Sequence, residues 1–182
     1  MKNKKSRASE QYATYSISYL FRDFGLSKFI NLCLVASIAI TLLFAICVYR
    51  FPNDQGELIS FSNSFFLAIV IGLLGFLIAI FAILVSFTDE KFLLFLVERR
   101  VISGYLVPIL FPILLLSLSI ISIFISEVLN IIDIEYWHEI GLVAFFFSVY
   151  ALLETFYAVE AVKNLILLRA DYIKSKDSSE KK

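Results

Sequence analysis

The sequence FFLAIVIGLLGFLIAIFAILVSF, residues 65–87, contains no ionisable side chain over 23 positions. An α-helix of this length, rising about 1.5 Å per residue, extends roughly 34 Å and can cross a bilayer core of about 30 Å. The stretch therefore predicts a transmembrane helix. Its small residues alternate at spacings of four and three, which places them on one side of the helix: Ala68, Gly72, Gly75, Ala79, Ala82 and Ser86.

Such a stripe of small residues predicts helix association. Helices in lipid gain little by burying leucine against leucine, and they associate where small side chains let two backbones approach. The third span carries a related line through Ser119 and Ser122, and the fourth carries one through Ala144, Ser148, Ala151 and Thr155. We expect spans two to four to pack closely and the first span to lie outside them. The sequence leaves open which stripes pack within the chain and which join subunits in an oligomer.

The composition fits only a membrane protein. Hydrophobic residues make up 60% of the chain, and the mean hydropathy is +0.86, whereas soluble domains contain about 45–50% apolar residues. We predict an all-α integral membrane protein, a single membrane domain over residues 1–182 with a small-residue-packed bundle of four transmembrane helices. The predicted spans are about 29–48, 65–87, 108–125 and 140–159.

The segments outside these spans are too short for a soluble domain of about 50 residues or more. We interpret residues 1–28, with several tyrosines at helical spacing, as a cytoplasmic or interfacial helix or as a disordered tail. Residues 49–64 and 126–139 are predicted loops. The fourth helix is expected to continue past the membrane within 160–182, with a disordered tail from Lys174.

The positive charges are distributed asymmetrically. Every Lys and Arg except Arg50 lies before the first span, between the second and third spans, or after the start of the fourth helix's extension. The positive-inside rule then predicts that both termini and the middle connection are cytoplasmic.

No set of residues predicts a catalytic centre, a cofactor site or a metal site. The single histidine, His138, lies outside the spans beside Trp137, and it has no companion histidine or cysteine at a metal-ligand spacing. We therefore expect a protein that is not an enzyme and that needs no cofactor.

Glu154 is the one ionisable residue inside a predicted span. A carboxyl group there is costly and should face protein, and Tyr150 and Tyr157 stand where they could donate hydrogen bonds to it. Three interpretations remain: a packed, hydrogen-bonded carboxyl group at a helix or subunit interface, a residue at the inner headgroup level, or an ion or proton relay.

Two cytoplasmic segments are candidates for docking a partner protein. The first is the amphipathic helix predicted after the second span, and the second is the extension of the fourth helix. Positive-inside topology alone also explains their cations. The residues predicted to dock a partner are Phe92, Phe95, Glu98, Arg99, Arg100, Lys163 and Arg169.

The chain resembles the membrane subunits of the two-component Kiwa anti-phage defence system. The resemblance rests on the basic, tyrosine-rich start, on GLLGFLIAIFAILVSF (72–87) with the DEK that follows, on the ERR connection (98–100), on the serine-striped third span and on the long final helix. It implies a homo-oligomer, with a tetramer favoured, in the bacterial inner membrane. It also implies a sensor of phage attack that holds a soluble, DNA-binding effector and does not itself bind nucleic acid.

The function expected from the sequence is thus a non-enzymatic membrane sensor or scaffold that acts through a soluble cytoplasmic partner. The alternative is an oligomeric pore or small ion transporter that uses Glu154. Both hypotheses have the lipid bilayer as a partner.

Overall fold

The computed structural model describes Gly25 and residues 31–87, 90–98, 101–132, 134 and 136–180. Within these residues the chain is almost entirely helical and contains no strand. The helices are α1 (Leu32–Arg50), α2 (Gln55–Phe87), α3 (Glu90–Glu98), α4 (Ile102–Ile131) and α5 (Trp137–Glu180), with a 3-10 turn at Pro52–Asp54. The predicted lead at residues 1–28 lies outside the described residues, apart from Gly25.

Four of these helices, α1, α2, α4 and α5, are long and apolar enough to cross a membrane. The predicted class, an all-α integral membrane protein with four transmembrane helices, is confirmed. Helix α5 is the centre of the bundle because it packs against α1, α2 and α4, and its contact with α4 is the most extensive in the described structure.

The helices are longer than the apolar runs that predicted them. Residues 49–64 were predicted as a loop, but only the short segment around Pro52–Asp54 separates α1 from α2. At least one polar side chain of this segment has a partner on a neighbouring helix. The amide of Asn63 donates to the Glu127 carboxylate of α4 over 2.8 Å.

The predicted loop at 126–139 is likewise mostly helical, because α4 runs to Ile131 and α5 begins at Trp137. The prediction of a disordered tail from Lys174 is also wrong, since α5 continues to Glu180. Helix α5 contains no proline, and its single glycine lies near its start. Its charged C-terminal residues are compatible with a helix, so nothing in the local sequence stops it.

Candidate functional site

The small stripes of α4 and α5 face each other inside the chain. Ser119 and Ser148 are buried, and their hydroxyl oxygens lie 2.6 Å apart. Ser148 donates its proton to the Ala144 carbonyl over 2.8 Å, so Ser119 is the donor to Ser148. Ala144, Ala151 and Thr155 are buried on the same line of α5, and small side chains here let the two helices approach closely.

A second polar contact joins α2, α4 and α5 at the other end of the interface between α4 and α5. Ser126 of α4 is buried and donates to the Trp137 carbonyl over 3.0 Å. The amide of Asn63, from α2, donates to the Ser126 hydroxyl over 3.3 Å. Gly141 of α5 lies directly against Ile59 of α2, where even a methyl group would collide. Ser122, between these polar contacts, is half-buried.

The small stripe of α2 does not take part in this packing. Ala68, Gly72, Gly75, Ala79, Ala82 and Ser86 are all exposed on the described chain. A Cβ atom added at Gly72 or Gly75 would meet no atom within 4 Å. The sequence left open which stripes pack within the chain, and in the described structure the stripe of the second span is not one of them.

The opposite face of α2 packs inward, and it has a heptad pattern of its own. Gly56, Asn63, Val70, Leu77 and Leu84 are spaced seven apart. Asn63, Val70, Leu77 and Leu84 are buried, and Gly56 lies against the Trp137 ring. Residues two positions apart on a helix point about 200° apart, and each stripe residue lies two positions from a member of this line. Burial of the line therefore turns the small stripe outward.

The sequence contained a signal for this orientation, but the predicted span began at Phe65 and left it out. A buried amide needs hydrogen-bond partners, and Asn63 is the polar member of the line. Its two acceptors, Ser126 and Glu127, both lie on α4. The rotation of α2 about its axis is therefore fixed by the polar residues before the apolar run.

Glu154 is only 5% exposed and lies at the junction of α5 with α1. The amide of Asn31 donates to its carboxylate over 2.6 Å, and the hydroxyl of Tyr150 also forms a hydrogen bond with it. Asn31 at the same time caps α1, because its side-chain oxygen accepts from the Leu34 N–H over 3.0 Å. This arrangement matches the packed, hydrogen-bonded interpretation of Glu154.

The donors to Glu154 differ in part from those expected. Tyr150 is buried and fills its predicted role, but Tyr157 is 44% exposed. The second donor, Asn31, lies 123 positions from Glu154 in the sequence. Local spacing along one helix cannot reveal such a partner, because the contact depends on how α1 docks on α5.

The predicted docking helix α3 packs on the chain itself. Phe92 is buried, and the ring centroids of Phe92 and Phe95 lie 5.6 Å and 5.0 Å from that of Tyr172 on α5. Phe92 and Phe95 therefore contact Tyr172 of the same chain, because α5 extends far enough to supply it; binding of a partner by these residues stays a prediction.

The remaining docking residues have different surroundings. Lys163 is exposed on α5, whereas Arg169 is half-buried beside a cleft between α2, α3 and α5. Arg99, Arg100 and the side chain of Glu98 lie outside the described residues. In the part of the chain that the structure describes, no three His, Cys, Asp or Glu side chains are grouped to hold a metal ion.

The exposed stripe of α2, the Glu154 contact and the cleft beside Arg169 are thus the features from which a function is argued. Comparison with protein families, with curated proteins and with solved structures finds no match for this chain.

Proposed function

We propose that this protein is a homo-oligomeric, non-enzymatic membrane subunit that acts as a sensor or scaffold for a soluble cytoplasmic protein. The observation that carries the proposal is the outward small stripe of α2. The corresponding residues of α4 and α5 are used inside the chain, whereas those of α2 are left on its surface.

The stripe has the length and chemistry of an intersubunit contact. From Ala68 to Ser86 it extends about 27 Å along the helix, nearly the thickness of a bilayer core. Small residues give no advantage against lipid tails, but they allow a second helix to approach the backbone. A dimer can pair two copies of the stripe, whereas a closed tetramer requires the stripe to pack against a different face of the next subunit.

The site for the soluble partner is proposed on the extension of α5. Beyond the predicted span, which ends near Val159, the helix continues for 21 residues to Glu180, or about 32 Å. Ile173 and Lys174, which lie beyond the level of the α2 span, are exposed there. The distribution of Lys and Arg supports a cytoplasmic location for this segment. The resemblance to Kiwa membrane subunits supports a role in anti-phage defence at the bacterial inner membrane, with a DNA-binding effector as the partner.

Assembly is tested by replacing Gly75 with Leu, with Ala39→Leu as the matched control. Ala39 is exposed on α1 and is outside the stripe. Native mass spectrometry in a mild detergent should show an oligomer for the wild type. Gly75→Leu should weaken it by about tenfold in dissociation constant, which corresponds to about 1.4 kcal/mol. A wild type that is monomeric in both detergent and nanodiscs, or equal effects of the two variants, would remove the stripe from the proposal.

The partner is tested by co-purification with the soluble protein encoded beside this chain. Replacing Ile173 with Glu, at an exposed position of the α5 extension, should reduce recovery of that protein and leave the oligomer intact. The control must lie outside the lipid-facing part of a span, because a variant such as Leu118→Glu would place a charge in the lipid. Ser64→Glu, at an exposed position near the opposite end of the bundle, is the control and should not change recovery.

Ion transport through Glu154 is the second candidate. It is supported by the placement of a carboxyl group beside Tyr150 and Asn31 within the membrane-spanning part of the bundle. The variant Glu154→Gln retains a hydrogen-bonding oxygen but cannot ionise. If the protein is a scaffold, liposomes with wild type and with this variant should show the same low ion flux. A flux that the wild type supports and the variant abolishes would favour transport.

A further inference from the structure

A cleft of about 440 Å³ opens on the side of the bundle between α2, α3 and α5. Its floor is made by Leu84, Phe92 and Leu165, all of which are buried. Its rim includes Ile83 and Ile166, which are 54% and 58% exposed. The volume lies within the range of about 300–1,000 Å³ that is typical of small-molecule sites. The cleft therefore has room for a ligand and an apolar opening through which one can enter sideways.

One charged residue, Arg169, lines this otherwise apolar cleft. On α5 it lies one turn beyond Leu165, or about 6 Å further along the helix axis toward the C-terminal end. Arg169 therefore lies on the C-terminal side of the apolar walls of the cleft. An arginine side chain carries five N–H donors and binds phosphate through two of them at once.

We propose that the cleft binds an anionic phospholipid, with an acyl chain against Leu84, Phe92 and Leu165 and the headgroup phosphate on Arg169. This order of apolar walls followed by a cation agrees with the position of the cleft, which lies near the C-terminal end of α2 and in the C-terminal half of α5. If the proposed topology holds, this end faces the cytoplasmic leaflet, where anionic lipids attract cationic residues. Each methylene group placed on the apolar walls contributes favourably to binding, and Arg169 selects the charge of the headgroup.

The test is native mass spectrometry of the full chain titrated with phosphatidylglycerol or phosphatidylcholine of identical acyl chains. The wild type should bind phosphatidylglycerol more tightly. Arg169→Gln should weaken phosphatidylglycerol binding by about tenfold, as expected for the loss of a charge-assisted hydrogen bond, and should leave phosphatidylcholine binding nearly unchanged. Lys163→Gln is the control, because Lys163 is an exposed cation of the same helix that does not line the cleft.

A second pair of variants tests the acyl chain. Ile83→Trp places a bulky ring at the rim of the cleft and should weaken binding of both lipids. Ile78→Trp, on an exposed position of α2 away from the cleft, should weaken neither. Helix content and elution volume confirm that each variant is folded.

Equal binding of the two lipids by the wild type, or equal losses in Arg169→Gln and Lys163→Gln, would overturn the proposal. Binding that appears only when the oligomer dissociates would also overturn it, because a second copy of the chain would then cover the cleft. None of these outcomes depends on the small stripe of α2, so the lipid site and the proposed assembly can fail separately.

Discussion

Helices α2 and α5 carry the same kind of stripe, and the structure uses the two stripes in opposite ways. Both stripes consist of small residues at alternating spacings of three and four. In α5 the stripe is buried against α4, whereas in α2 it is exposed. Half of the most apolar 18-residue window of α5 is buried, against 11% of that of α2. Small residues permit close approach, but they do not determine which neighbour approaches.

The difference comes from the other residues on each helix. On α5 the buried face also includes Tyr150 and Glu154, whose polar groups need partners inside the protein. On α2 the buried amide of Asn63 needs partners, and it lies opposite the small stripe. The two helices therefore follow the same rule, which is that buried polar groups orient a helix before small residues do.

The strongest test of this comparison replaces one glycine on each helix with alanine. At Gly141 of α5 the added methyl group would collide with Ile59, whereas at Gly72 of α2 it would meet open space. We expect Gly141→Ala to lower the free energy of unfolding by about 1–3 kcal/mol, the usual cost of overpacking. For the dissociated single chain, Gly72→Ala should not lower it, because alanine is the better helix former.

Unfolding in mixed micelles of mild detergent and dodecyl sulfate, followed by circular dichroism, measures both glycine variants. Equal stability of the two would mean that α2 does not pack on α5 at Ile59.

A smaller effect is expected when the amide that orients α2 is removed. Asn63→Ala deletes the hydrogen bonds to Ser126 and Glu127 and should destabilise the fold by about 1–2 kcal/mol. Asn53→Ala is the control, because Asn53 is exposed in the 3-10 turn. The same unfolding assay gives the stability. If α2 rotates, labelling of a cysteine introduced by Gly75→Cys should also change in membranes. Unchanged stability together with unchanged labelling would show that Asn63 does not set the orientation.

The smallest effect is expected from a pair of serines that bond their own helix in the same way. Ser148 donates to the Ala144 carbonyl and Ser86 to the Ala82 carbonyl, but only Ser148 has an interhelical partner, Ser119. Ser148→Ala should cost about 0.6 kcal/mol, the average for hydrogen bonds between membrane helices.

Ser86→Ala should cost nothing measurable within the chain. A double-mutant cycle with Ser119→Ala isolates the interhelical bond of Ser148, and a coupling energy of zero would contradict the contact.

Much of the architecture was predictable from local sequence. The apolar run at 65–87 is long enough to cross a bilayer in any context, and the short helix after it has a helical pattern of apolar residues. The burial of Glu154 followed from the cost of exposing a carboxylate to lipid. The helix ends were missed at Gln55 and Glu180, because hydropathy locates the membrane and does not locate the ends of a helix.

The sequence by itself determined that four helices cross the membrane and that three of them present lines of small residues. Only the tertiary structure decided that α2 turns its line outward, that Asn31 binds Glu154 and that Phe92 docks on the α5 extension beside Tyr172. The physical reason is that crossing a bilayer depends on the length and polarity of one segment. Which face of a helix is buried, and against which neighbour, depends instead on residues far apart in the sequence. Their buried polar groups must find hydrogen-bond partners and their side chains must pack without voids in the same arrangement.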